Sequence, residues 1–162
     1  MIDLTTYAAP VAARLIAAEQ TVAVSESSSG GLISSSLLAI PGASAYFLGG
    51  GVVYTLAARG ALLPDPGSAL DGVRSASEPY ALWLAQTMCE HLGSTWGLAE
   101  TGVSGPTGSR YGDAPGYACI AVSGPSEKVI TIETGKSDRQ VNMWAFTEAA
   151  LSLLVTVMKD GA

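Results

Sequence analysis

The run Thr21-Val22-Ala23-Val24-Ser25-Glu26-Ser27-Ser28-Ser29-Gly30-Gly31-Leu32-Ile33 decides the fold. Its first part is apolar and β-type, and predicts a strand over 21–25. From Leu32 to Ile40 the pattern predicts a helix. A strand that breaks into a Ser/Gly turn and then a helix gathers hydroxyls and bare backbone N–H groups at one helix start. That arrangement can present a serine nucleophile and receive a negative oxygen in the same place. If the chain has chemistry, it is expected here.

Working outward, residues 4–19 fit a helix with Leu4, Ala8, Val11, Ala12 and Leu15 on one face. Pro10 falls within that pattern and marks either a kink or a later start. Pro41-Gly42-Ala43-Ser44 ends the helix that follows the Ser/Gly turn. Residues 46–54 read as extended, and Gly49-Gly50-Gly51 in their middle predict a bulge or a close backbone approach. A short helix over 55–63 and a loop from Leu63 to Gly72 come next. Ser77 then caps a helix running to His91, with Pro79 in its first turn. Strands are expected at Thr95–Val103, Tyr117–Val122 and Lys128–Glu133, with a Gly/Pro-rich loop from Ser104 to Gly116. Ser137 or Asp138 caps a last helix to Met158. That helix is apolar on nearly every side, as a core helix or a subunit interface requires. The order predicts an α/β fold, a three-layer α/β/α sandwich with a mixed sheet in a single domain, its last two strands forming a hairpin.

The chain has 162 residues, enough for one domain with a sizeable core. Charged residues make up only 14% of it, and the formal net charge is -6. A surface so poor in charge points to a homo-oligomer. No basic stripe is present, so nucleic acid is not an expected partner. Cys89 and Cys119 are the only cysteines, and one falls in a helical and the other in a strand pattern, which predicts free buried thiols. Two cysteines and one histidine make a structural zinc site improbable. His91 stands at a helix end ahead of Leu92-Gly93, where C-termination explains it. The start Met1-Ile2-Asp3-Leu4 lacks the pattern of a secretion signal, and no uninterrupted apolar run of about 18 residues occurs. A cytoplasmic protein without a membrane partner is expected.

Six stretches, in order, carry a resemblance. Ser25 to Gly31 resembles the Glu-Ser-Cys-Thr-Gly-Gly motif of the CinA carboxy-terminal family, the nicotinamide mononucleotide deamidases also called PncC. Val103-Ser104-Gly105-Pro106-Thr107-Gly108 resembles that family's second signature. Pro41 to Phe47, Val53-Tyr54, Ser77-Glu78-Pro79 and Ser137-Asp138-Arg139 are similar to its intervening and final segments. The resemblance implies a single CinA C-terminal-like domain over 1–162, an oligomer, and amide hydrolysis. The implied reaction converts nicotinamide mononucleotide to nicotinate mononucleotide and ammonia. The implied partner is thus a small mononucleotide, with neither a metal nor an organic cofactor.

On the family pattern Ser27 is the nucleophile. The N–H groups of Ser28, Ser29, Gly30 and Gly31 are expected to hold the oxyanion, where one donor is typically worth ~3 kcal/mol. Glu26 is expected to fix the turn by accepting backbone N–H bonds, with general base as the lesser reading. Gly105, Thr107, Gly108 and Arg139 are expected at the substrate, Arg139 on a phosphate or carboxylate unless it pairs with Asp138. Arg110, Tyr111 and Asp113 belong to the same loop, as a lid or an ordinary solvated turn. Tyr54 and Arg59 complete the catalytic set, but Arg59 stands where the family lysine pairs with the serine. A guanidinium stays protonated and cannot serve as that base, and a phenol is a poor one. Lys136 fits no motif, though its place beside Asp138 and Arg139 allows an approach. Met143 likewise replaces a second family arginine. These departures motivate an alternative, a catalytically impaired or substrate-shifted relative that acts as a nucleotide-binding module.

Overall fold

A computed structural model describes residues 3–160. Helix α1 (Thr5–Ala17) leads into strand β1 (Val22–Glu26), helix α2 (Leu32–Leu38), strand β2 (Phe47–Val52) and helix α3 (Leu56–Leu62). Helix α4 (Glu78–Leu92), strands β3 (Trp96–Val103), β4 (Tyr117–Ser123) and β5 (Lys128–Glu133), and helix α5 (Arg139–Asp160) complete the order. The five strands lie in the order β2-β1-β3-β4-β5. β1 pairs parallel with β2 and β3, while β3, β4 and β5 pair antiparallel.

The sheet is covered on both faces, so its central strands read as nearly unbroken apolar runs. On one face Val24, Leu98 and Ile120 pack with Val11 and Leu15 of α1, Ile33 and Leu37 of α2, and Leu151 and Leu154 of α5. On the other, Ala23, Ala99 and Ala121 meet Tyr80, Ala81, Leu84 and Ala85 of α4. The three-layer sandwich expected from the element order is therefore what forms. Small residues on β1, β3 and β4 let α4 lie close: a Cβ on Gly97 would come within 1.9 Å of the Ala85 carbonyl oxygen. α5 is long and apolar enough to cross a membrane, and half of its most apolar window is buried in this core. The core-helix reading of its apolar pattern accounts for that burial.

Most local signals act as anticipated. Ser77 accepts the Tyr80 N–H at the start of α4, and Gly93 ends that helix in the left-handed conformation. Asp138 accepts the Val141 N–H at the start of α5. The register of β1 against β2 shifts between Val22–Phe47 and Ala23–Gly49, just before the glycine run, while the run itself shows the close approach: a Cβ on Gly50 would come within 2.2 Å of Ser34 Oγ. Both cysteines are free, Cys119 buried as expected and Cys89 only half-buried. Several boundaries differ by one or two residues, and three differences stand out. α1 starts at Thr5 and runs through Pro10, α2 stops at Leu38 rather than Ile40, and the 63–72 loop contains a 3-10 turn at Gly67–Leu70.

Leaving β1, the chain passes through α2 to β2 on one side. It then returns through α4 to β3 on the other. The strand order thus reverses at β1, and the carboxyl ends of β1 and β3 frame a crevice there, the usual ligand position in open α/β sheets.

Candidate functional site

The Ser/Gly turn sits at that reversal. Gly30 (φ +66°) and Gly31 (φ +96°) both take the left-handed conformation, which lets the chain fold back from β1 into α2 without a Cβ penalty. Beneath the turn, Glu26 is fully buried. Its Oε1 accepts the N–H groups of Gly31 (3.1 Å) and Ile33 (2.8 Å), and its Oε2 accepts that of Ser34 (2.9 Å). One side chain thereby caps the first turn of α2, which is the structural role expected of it.

A second buried carboxylate, Glu100 of β3, holds the turn from the opposite side. Its Oε2 accepts the N–H groups of Ser27 (3.1 Å) and Ser29 (2.9 Å), and its Oε1 takes the Ser28 hydroxyl. Ser29 Oγ lies between the two acids, 2.7 Å from Glu100 Oε2 and 2.9 Å from Glu26 Oε1. Burial pushes the Glu100 carboxyl above its ordinary value, against the lowering pull of the hydroxyls and amides it receives. Sequence reasoning missed Glu100. The available signal was a lone acid inside the run Trp96-Gly97-Leu98-Ala99-Glu100-Thr101-Gly102, whose other members are apolar or small.

These bonds narrow the expected oxyanion site. Of the four amides from Ser28 to Gly31, that of Ser29 goes to Glu100, that of Gly31 to Glu26, and that of Gly30 to the Ser27 carbonyl at 3.2 Å. Among the described residues only the Ser28 N–H of this run has no such partner.

Two adjoining hollows open beside the turn. One, of about 280 Å³, is lined by Ser27, Tyr54, Leu56, Tyr80, Arg110 and Tyr111. The other, of about 220 Å³, is lined by Ser28, Tyr54, Gly105, Thr107, Gly108 and Arg139. Tyr54 is common to both, and its hydroxyl accepts a bond from Arg139 Nη2 at 3.0 Å. Arg139 Nη1 donates to the Gly105 carbonyl at 2.5 Å, so the first residue of α5 is tied to the Gly105 loop. Asp138 is engaged as a cap, and Arg139 forms no ion pair with it. The structure thus brings together Ser27, Ser28, Tyr54, Gly105, Thr107, Gly108 and Arg139. Arg59 stands apart. It lines a separate hollow with Pro64, Asp65 and Pro66, and its guanidinium carbon lies 5.9 Å from the centroid of the Tyr80 ring. Lys136 enters the region only through its backbone, its carbonyl accepting Asn142 Nδ2. Met143, at the place of the second family arginine, packs against the turn, with Cε 3.0 Å from where a Cβ on Gly30 would lie.

The 104–116 loop is fastened at two further points. Buried Asn142 donates to the Ser104 carbonyl and to that of Lys136, both at 2.9 Å. Arg74 grips Asp113 as a fork, at 2.6 and 2.9 Å, and that guanidinium holds the Asp113 carboxyl below its ordinary value. Arg74 and Arg110 both lie over the Tyr111 ring, their guanidinium carbons 5.0 and 4.9 Å from its centroid. Asn142 and Arg74 were not legible as site residues, because their partners lie far away in sequence. A hollow of about 310 Å³ at the other end of the sheet, lined by Arg14, Gln20, Trp96 and Pro125, gathers no nucleophile.

The model of the CinA C-terminal domain matches residues 4–158. A CinA-like protein of Gloeobacter violaceus is 37% identical over 154 residues, covering 94% of this chain and 36% of that protein. A CinA-like protein of Synechococcus sp. (strain CC9902) is 38% identical over 122 residues, covering 75% of this chain and 29% of that protein. The chain therefore spans only about a third of the length of these curated relatives. Among solved structures, a competence-damaged protein (CinA) superfamily protein from Enterobacter cloacae superposes with a TM-score of 0.85 at 24% identity, covering 98% of this chain and 94% of that one. The competence/damage inducible protein CihA from Agrobacterium tumefaciens gives a TM-score of 0.82 at 25% identity, covering 97% and 96%.

Proposed function

The chain belongs to the CinA C-terminal domain family, and from that premise we propose that it is an amidohydrolase acting on the carboxamide of a pyridine mononucleotide. Nicotinamide mononucleotide would be converted to nicotinate mononucleotide and ammonia. One observation carries this reading: Ser27 faces a hollow walled by Tyr54, Tyr80 and Tyr111, beside a second, polar hollow that holds Arg139. A planar aromatic amide fits the first, and a phosphate fits the cation and loop of the second. Ser27 attacks the carbonyl carbon, and the free Ser28 N–H is the donor for the tetrahedral oxyanion. Tyr54 and Arg139, bonded to each other, orient the ligand where the hollows meet. The purified protein mixed with nicotinamide mononucleotide is expected to release ammonia, and Ser27→Ala to lose this activity while remaining folded.

A second reading rests on Arg59. No hydrogen bond reaches the Ser27 hydroxyl among the described residues, and Arg59 cannot serve as its base. A substrate-shifted or silent nucleotide-binding module would keep the same hollows. Arg59→Lys separates the two: a large gain in deamidation marks a disabled enzyme, and silence with retained mononucleotide binding marks a changed ligand. As to assembly, we place a second copy of the chain against the exposed Leu48, Leu62 and Leu92, which share one hollow. Light scattering on the purified protein is expected to give at least a dimer.

A further inference from the structure

Asp and Glu number 14 in this chain and Lys and Arg only 8, yet the charge around the two hollows is all positive. Among the described residues, Arg110 is the one charged side chain lining the Ser27 hollow, and Arg139 the one lining its neighbour. No acid lines either. Asp113, the acid closest in sequence to Arg110, is already held by both arms of Arg74. Neither Arg110 nor Arg139 forms an ion pair among the described residues. Two uncompensated guanidiniums at adjoining hollows make a local positive field in an acidic protein.

Arg110 is carried by a closed turn. Ser109 Oγ accepts the N–H groups of Tyr111 and Asp113, both at 3.2 Å, and donates to Asp113 Oδ2 at 2.8 Å. The Ser109 N–H reaches the Asp113 carbonyl at 2.9 Å, and the Gly112 N–H reaches the Ser109 carbonyl at 3.1 Å. The Arg74 fork fastens this turn to the segment before α4. The Arg110 guanidinium lies over the Tyr111 ring and donates from Nη2 to the Tyr111 hydroxyl at 2.7 Å. That is the one hydrogen bond its side chain makes among the described residues, so most of its N–H donors are open to a ligand. A cation set on a fixed turn binds at a smaller ordering cost than one on a loose loop.

A carboxamide alone does not call for this cation. It is neutral, and the pyridinium ring of nicotinamide mononucleotide is itself a cation that Arg110 repels. The corresponding acid adds a carboxylate, whose two oxygens match the guanidinium fork. We propose that the paired hollows form a site for a ligand with two anionic groups, a phosphate at Arg139 and an aromatic carboxylate at Arg110, so that the acid mononucleotide is held more tightly than the amide. This rests on the reading above, which puts the ring in the Ser27 hollow and the phosphate in the other. Arg110 is then a specificity-determining residue. It selects product over substrate, and the acid inhibits its own formation.

Calorimetric titration of the intact chain tests this, in a Ser27→Ala background so that the amide is not consumed. Nicotinate mononucleotide is expected to bind about 10–100-fold more tightly than nicotinamide mononucleotide. Adding Arg110→Gln should shrink that ratio to within about threefold, chiefly by weakening the acid. Arg110→Lys, a charge without the fork, should give an intermediate ratio. Arg139→Gln should weaken both ligands alike and preserve the ratio. Arg110 is exposed, so its substitution leaves the core untouched. An acid that binds no more tightly than the amide overturns the proposal, and so does a preference that survives Arg110→Gln. Ammonia release by the wild-type protein is scored separately. A protein that releases none but shows the Arg110-dependent preference keeps this site and sinks the hydrolase reading, whereas release without the preference does the reverse.

Discussion

Glu100 and Asp113 are both acids fastened to the loops of one site, and the protein satisfies them in opposite ways. Asp113 lies at the rim and meets Arg74 in a two-pronged ion pair, with Ser109 Oγ adding a bond at 2.8 Å. Glu100 lies beneath the Ser/Gly turn and meets only hydroxyls and amides. The rim pair anchors a loop through charge, where water screens it. The interior acid anchors a turn through hydroxyls and amides alone, and burial raises its carboxyl above the ordinary value. The difference teaches that burial and the absence of a cation push one carboxyl up while a guanidinium at the rim pulls the other down.

The most severe way to break this comparison is to remove the interior acceptors. Glu26→Ala strands three backbone N–H groups at the start of α2 and should cost about 3–5 kcal/mol in urea unfolding. Next comes the contrast at position 100. Glu100→Ala orphans two amides and a hydroxyl and should cost about 2–4 kcal/mol, whereas Glu100→Gln should stay within about 1 kcal/mol of wild type at neutral pH. A large loss in Glu100→Gln would mean that the acid is ionised. Asp113→Ala, at the screened rim, should cost only about 1 kcal/mol and should chiefly loosen the 104–116 loop, seen as faster amide exchange there.

The smallest effects are in pH dependence, and the two acids have opposite signs. Asp113, held below its ordinary value by Arg74, adds stability that is present above the unfolded value and is lost as pH falls through the folded one. Glu100, raised by burial, binds its proton more tightly in the folded state, so its contribution is full at low pH and declines as pH climbs above the ordinary carboxyl value. Asp113→Asn should flatten the acid limb of the stability profile, and Glu100→Gln should flatten the decline on the rising side. Equal slopes in the variants and wild type would erase the distinction drawn between them.

Much of the frame was legible because its signals are local. The strand–turn–helix at 21–38, the Ser77 cap with Pro79, the Gly93 stop and the close approach at Gly50 each follow from a few adjacent residues. Glu26 was legible as a cap for the same reason, since its partners lie within eight residues. Glu100 was not, because what it holds lies 71–73 residues earlier in the chain and only the parallel pairing of β1 with β3 brings them together. The same holds for Arg74 with Asp113 and for Asn142 with Ser104. Arg59 shows the reverse case. Its position in a motif placed it in the catalytic set, while the turn of α3 aims it at Tyr80 and another hollow.

The most direct measurement follows ammonia released from nicotinamide mononucleotide by the wild-type protein and by Ser27→Ala, with circular dichroism to verify that both are folded. The account predicts sustained release by wild type and a drop of more than about 10³-fold in the variant. Release by Ser27→Ala at the wild-type rate, or no ammonia above blank from the wild type, would contradict it.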